Sequence, residues 1–184
     1  MKKMLALGLL SLSLAQAKVF VGIDGGYVMA GSAPSGKTNS SVWNGHYQDA
    51  WSVSANFGYE SLFSNHFGAR AFISAGYGNV LDSALTNQFI TVDGNIDLMI
   101  NFVPSFGIFA GVGAGYQYHS FGNVYKEHGI PLFGRAGVTF GITEHLRLDL
   151  TARLPIITWD AKDSLVGLPM FSPLTVQAGI KFLF

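Results

Sequence analysis

The feature that most constrains this chain is an alternation of apolar and polar residues, clearest in Leu174–Phe184 and repeated upstream. One parity of that stretch carries Leu174, Val176, Ala178, Ile180, Phe182 and Phe184. The other carries Thr175, Gln177, Gly179, Lys181 and Leu183. Successive side chains of a strand point to opposite faces, so this spacing predicts a β-strand with one greasy face. The same pattern predicts seven more strands, over 19–29, 51–60, 67–78, 90–102, 106–119, 132–142 and 146–156. Their lengths, about ten to fourteen residues, suit tilted strands that cross a bilayer.

The charges sharpen this reading. Within the eight segments every charged residue has the parity opposite to the apolar set: Asp24, Glu60, Asp93, Asp97 and Asp149, with Arg70, Arg135, Arg147, Arg153 and Lys181. A charge facing lipid at the bilayer midplane costs about 2–4 kcal/mol, so a membrane barrel excludes it. Alternation alone does not tell inside from outside, and a soluble lipocalin-like barrel would reverse the two faces. With lipid outside, five acids and five bases line an interior just wide enough for side chains to fill. They are expected to neutralise one another and block a continuous pore. Counted from the short-turn end, Glu60 and Asp149 lie low with Arg70, Arg147 and Lys181. Asp24, Asp93 and Asp97 lie higher with Arg135 and Arg153. Gly107, Gly111, Gly113 and Gly115 share the inner parity and leave room for long side chains from other strands.

Connections and aromatics follow the same plan. Residues 61–66, 103–105 and 143–145 form short connections, whereas 30–50, 79–89, 120–131 and 157–173 form long ones. Outer-membrane barrels alternate short periplasmic turns with longer extracellular loops. Phe57, Phe67, Phe102, Phe106, Phe140, Phe182 and Phe184 fall toward the short turns. Tyr27, Trp51, Tyr77, Tyr116, Tyr118 and Trp159 fall toward the long loops, giving two girdles. Pro155 cannot donate to a ladder, so the seventh strand is expected to fray or bulge near Leu154.

At the other end of the chain, Lys2-Lys3, an apolar run over 4–14 and Ala15-Gln16-Ala17 predict a cleavable signal peptide over 1–17, with the barrel over 18–184. Its removal leaves nine bases against eleven acids, which argues against nucleic acid as a partner. No later apolar run approaches the roughly twenty residues of a membrane helix. Charged residues are 12 % of the chain, well below the ~25 % of soluble domains, and aromatics reach 14 %. A chain of this kind spans a membrane only as a closed barrel, because lipid satisfies no open sheet edge.

Chemical motifs are weak. Asp93-Gly-Asn-Ile-Asp97 begins like a calcium loop but has Leu98 at the turn glycine and Pro104 at the bidentate glutamate. Gly111-Val-Gly-Ala-Gly115 lacks the βαβ setting of a dinucleotide loop. The five histidines show no metal-ligand spacing, and there is no cysteine. His119 and Ser120 are adjacent and so point to opposite faces. No cofactor, metal or catalytic residue is expected.

The eight two-faced segments, the alternating loop lengths and the terminal Phe184 resemble the small eight-stranded outer-membrane barrels of Gram-negative bacteria. The OmpA-transmembrane, OmpX and opacity-protein barrels are of this type, as are the small Helicobacter-type outer-membrane proteins. The resemblance covers 18–184 and implies an all-β, eight-stranded antiparallel up-and-down transmembrane β-barrel with both termini periplasmic. It further implies outer-membrane lipid and lipopolysaccharide as surroundings. The barrel-assembly machinery would read the last strand through Ile180, Phe182 and Phe184. The expected role is non-enzymatic, with surface interaction or adhesion through the long loops. The candidates there are Trp43, Tyr47, Leu168, Met170 and Phe171. A narrow porin-like channel and a lipid A-modifying barrel enzyme are the alternatives.

Overall fold

A computed structural model describes residues 17–29, 49–64, 66–81, 87–121, 125–160 and 174–184. Eight strands succeed one another along the chain: β1 (Lys18–Met29), β2 (Asp49–Leu62), β3 (Phe67–Val80), β4 (Asn87–Val103), β5 (Phe106–Phe121), β6 (Tyr125–Gly141), β7 (Leu146–Asp160) and β8 (Leu174–Leu183). Each pairs antiparallel with its neighbours in sequence, and β8 returns to pair with β1, so the sheet closes with no free edge. Among the described residues no helix is long and apolar enough to cross a membrane.

Burial decides which face is outside. Ile23, Ile73, Ile96 and Leu98 are 59–65 % exposed, whereas Arg70 and Asp97 are 1 % and 0 % exposed. Apolar side chains therefore face outward and charges inward, the reverse of a soluble barrel and the arrangement lipid requires. The structure departs from the expected strand ends chiefly at β5 and β6. Residues 120–131 are not a long loop: the ladder continues through Tyr118↔His128 to Phe121↔Tyr125, leaving only 122–124 as the connection. Alternation fades there because a strand that has risen past hydrocarbon needs no apolar face. β3 and β4 also lengthen, which shortens their connection to 81–86.

The bulge expected near Pro155 is present. The β6–β7 register slips between Leu132↔Ile157 and Phe133↔Pro155, and the strand then continues to Asp160 rather than fraying. One extra residue absorbs the missing donor of proline.

The interior is packed by a pairing rule that alternation alone does not reveal. Five phenylalanines, Phe20, Phe72, Phe89, Phe109 and Phe133, carry the polar parity and are buried. Each has a glycine as a direct cross-strand partner. Phe20 and Phe72 flank Gly58, Phe89 faces Gly78, Phe109 faces Gly137 and Phe133 faces Gly113. A β-carbon on Gly78 or Gly113 would meet the facing ring. In a narrow barrel, one wall gives up its side chain so that the ring opposite can lie flat against backbone.

Candidate functional site

The lumen is where the chemistry-bearing residues converge. The ten charges expected on the inner face all point into it, and a single chain of contacts joins six of them across its width. Arg135 Nε donates to Asp97 at 3.1 Å, and Arg70 bridges Asp97 at 3.1 Å and Asp149 at 2.6 Å. Lys181 Nζ donates to Asp149 at 2.7 Å and stands 3.7 Å from Asp24. Asn56 then donates to the other Asp24 oxygen at 2.7 Å. Signs alternate along the whole chain, so three bases and three acids cancel. Two separate pairs flank it: Arg147–Glu60 at 2.9 Å near the short-turn end and Arg153–Asp93 at 3.1 Å on the other side.

Two of these contacts cross the layers expected from counting residues. Arg70 reaches Asp97, and Lys181 approaches Asp24. The reason is the stagger that a tilted, closed sheet imposes on its cross-strand rows. Glu60, Arg70, Asp97, Gly111, Arg135 and Arg153 are successive cross-strand partners from β2 to β7, so one row climbs through the barrel. Gly111 and Gly179 complete the design. A β-carbon on either would meet the carboxylate beside it, Asp97 or Asp24.

The phenylalanines missed by alternation bind this network to the wall. The Arg70 guanidinium lies 4.4 Å from the Phe109 ring centre, Arg135 lies 4.8 Å from Phe72, and Arg153 lies 3.4 Å from Phe133. Each arginine thus pairs with a carboxylate while its guanidinium carbon lies over a ring. Stacking of this kind favours arginine over lysine. Phe20, Phe72 and Leu183 form an apolar cluster inside the barrel, and Val28, Ala50, Val80 and Phe89 form a second one. Between the latter and the ion pairs lies a cavity of about 30 Å³ lined by Ser52, Ser54, Thr91, Gln117, Arg153 and neighbours.

The outer wall carries the aromatic girdles. Phe102, Phe106 and Phe140 form a run with ring centres 5.8 and 5.2 Å apart at the short-turn end, and Trp51 packs on Tyr77 at 5.7 Å at the other. Ile180, Phe182 and Phe184 all face outward. Phe182 and Phe184 touch edge to face, and His145 stacks on Phe182. His145 also holds the end of β8. Its carbonyl accepts from Leu183 N at 2.8 Å, and its Nδ1 lies 2.9 Å from Leu183 O. Trp43, Tyr47, Leu168, Met170 and Phe171 lie outside the described residues. Among the described residues no cluster of His, Cys, Asp and Glu is arranged to hold a metal.

The comparisons with known proteins agree with this architecture. Neisserial surface protein A is 13 % identical, with a TM-score of 0.68 over 91 % of this chain and 99 % of its own. Ail, the attachment invasion locus protein of Yersinia pestis, is 13 % identical, with a TM-score of 0.52 over 91 % of this chain and 97 % of its own. OprG from Pseudomonas aeruginosa is 13 % identical, with a TM-score of 0.51 over 92 % of this chain and 96 % of its own. At these identities the likeness is one of fold. No curated protein sequence matches the chain significantly. The family of the outer membrane protein beta-barrel domain matches over residues 4–182, so the chain belongs to that family of Gram-negative outer-membrane barrels.

Proposed function

We propose that this protein is a non-enzymatic surface barrel whose lumen is closed by its own charges and whose partners bind at the long-loop rim. The observation that carries the reading is the unbroken chain from Arg135 to Asp24 across the lumen, in which each charge meets an opposite one. A side chain in such a chain does not swing aside for a solute without leaving a partner buried and unpaired. Both termini lie at the short-turn end, which is periplasmic in this reading, so the loops at the opposite rim face outward. Trp43, Tyr47, Leu168, Met170 and Phe171 are the side chains proposed to meet a partner there, because they are the large apolar residues of the two longest connections in the sequence.

Planar-bilayer recording of the purified barrel tests the closed lumen. A silent bilayer is the expected result, and discrete conductance steps would establish the narrow-channel alternative instead. The binding reading is tested by deleting 163–171 and comparing attachment to immobilised sulfated polysaccharide and to host-cell surfaces. Ail has been crystallised with the heparin analogue sucrose octasulfate, which makes such saccharides a natural first probe. Attachment that survives the deletion unchanged would remove that loop from the function.

A further inference from the structure

The prolonged β5–β6 hairpin presents an outward surface that changes character in steps along the barrel axis. Its lowest row is made of small and aliphatic residues, Gly94, Ala114 and Leu132 in direct cross-strand register. A β-carbon on Gly94 would touch nothing within 4 Å, so this row is an open, small-residue stretch of the lipid-facing wall. Above it stand Tyr116 and Tyr118. Tyr118 is the cross-strand partner of His128, and the Tyr116 hydroxyl meets His128 Nδ1 at 3.4 Å, with the two rings 6.1 Å apart and edge to face. The next row up is Gln88, Ser120 and Lys126, of which Ser120 is buried and Lys126 is exposed. Lys126 and His128 are two residues apart on one strand and so share the outward face. Lys126 departs from the inward rule of the ten lumen charges, and it occurs where the strand has passed the aromatic level.

This order, an open apolar row, a tyrosine belt, then two basic groups, is that of a membrane amphiphile with an anionic head. We propose that the outward face of β4–β6 is a site for one phosphorylated glycolipid of the outer leaflet. Lys126 and His128 would hold a head-group phosphate, Tyr116 and Tyr118 would pack on the sugar, and an acyl chain would lie along Gly94 and Ala114. A phosphate carries strong acceptors for both basic groups, whereas a zwitterionic head brings its own cation into the same place. The surface is continuous with the lipid-facing band, which argues for a lipid rather than a soluble protein as the occupant. The choice of leaflet rests on the orientation proposed above.

Native mass spectrometry of the barrel released from detergent, with added bisphosphorylated lipid A, tests the site. Wild type is expected to retain one lipid A, and the Lys126→Ala/His128→Ala variant to retain roughly fivefold less or weaker still. Monophosphorylated lipid A should bind more weakly, and phosphatidylethanolamine should not compete. Equal retention by the variant, or equal retention of phosphatidylethanolamine, would overturn the proposal. Both substitutions lie on the outer wall, and the heat-modified gel shift reports whether the variant is folded. Orientation is read separately. The chain has no cysteine, so a single Lys126→Cys label with an impermeant maleimide on intact cells reports that rim alone. Labelling with no lipid A retention would sink the site and leave the orientation standing. Retention without labelling would sink the orientation and with it the leaflet.

Discussion

Arg135 and Arg153 are direct cross-strand partners on β6 and β7, two like charges side by side inside the wall. They coexist because each turns to a different carboxylate and a different ring. Arg135 takes Asp97 and Phe72, whereas Arg153 takes Asp93 and Phe133. Arg147 and Lys181 on β7 and β8 repeat the arrangement, with Glu60 serving the first and Asp149 the second. Like charges directly opposite one another destabilise a sheet unless something separates them. The lumen meets that need with an acid for every base.

Asp97 is the member whose loss should hurt most, since it alone joins Arg70 to Arg135. Asp97→Ala leaves two buried guanidinium groups short of a partner. Removing one partner from a buried pair costs about 3–5 kcal/mol, so the urea midpoint of the barrel in detergent should fall sharply. Arg135→Ala should lower the heat-modification temperature by a smaller amount, because Asp97 keeps Arg70. Transitions unchanged in both variants would show that the network contributes nothing to closure.

The glycines opposite rings make an independent test of interior packing. Gly58 lies between Phe20 and Phe72. An alanine there overlaps Phe72, and overpacking of this kind costs about 1–3 kcal/mol. Gly25 is on the outer face, with nothing within 4 Å of a β-carbon. Gly25→Ala should be neutral or stabilising by up to about 1 kcal/mol, since alanine restricts the unfolded chain. Folding yield and denaturant midpoint compare the two directly, and equal effects would mean that the glycine–phenylalanine register is incidental.

These two tests mark the division between what the chain showed in one dimension and what needed three. Parity was enough to put Asp97 and Ile96 on opposite sides of the wall and to count eight strands, because period two is a property of each strand alone. It did not assign Phe20, Phe72, Phe89, Phe109 and Phe133 to the interior, since a phenylalanine on the polar parity reads only as noise. The signal that finds them is the glycine opposite, visible only once register is known. Register also explains why Arg70 meets Asp97 across the expected layers. The upper reach of β6 was hidden for a different reason. Beyond the aromatic belt Lys126, His128 and Gly129 no longer follow an apolar parity, so the strand loses its signature while keeping its ladder.

The lipid-facing reading of the outer wall has a sharp consequence at Ile96. This side chain is 59 % exposed and sits midway between Phe102 at one girdle and Ile90 beneath the other. Ile96→Arg places a charge near the bilayer midplane and should cost about 2–4 kcal/mol in lipid vesicles. Phe67→Arg, on the same outer face but close to a short turn, should cost about 0–1 kcal/mol. Equilibrium unfolding from vesicles measures both. Equal and small costs would mean that water, not lipid, meets this face.

The end of β8 separates folding from assembly. Leu183 donates to the His145 carbonyl at 2.8 Å, and Phe184 donates to the Val19 carbonyl at 2.9 Å, so backbone bonds hold the terminus to both neighbouring strands. The Phe184 side chain contributes little to that hold. It is 64 % exposed and touches Phe182 from outside. Phe184→Ser therefore keeps the closing bonds and removes only the ring. If Ile180, Phe182 and Phe184 are read by an assembly machinery, the variant should refold into detergent with wild-type yield yet accumulate several-fold less in the outer membrane. Equal loss in both settings would make Phe184 a packing residue, and no loss in either would strip the terminal aromatic of its role as a signal.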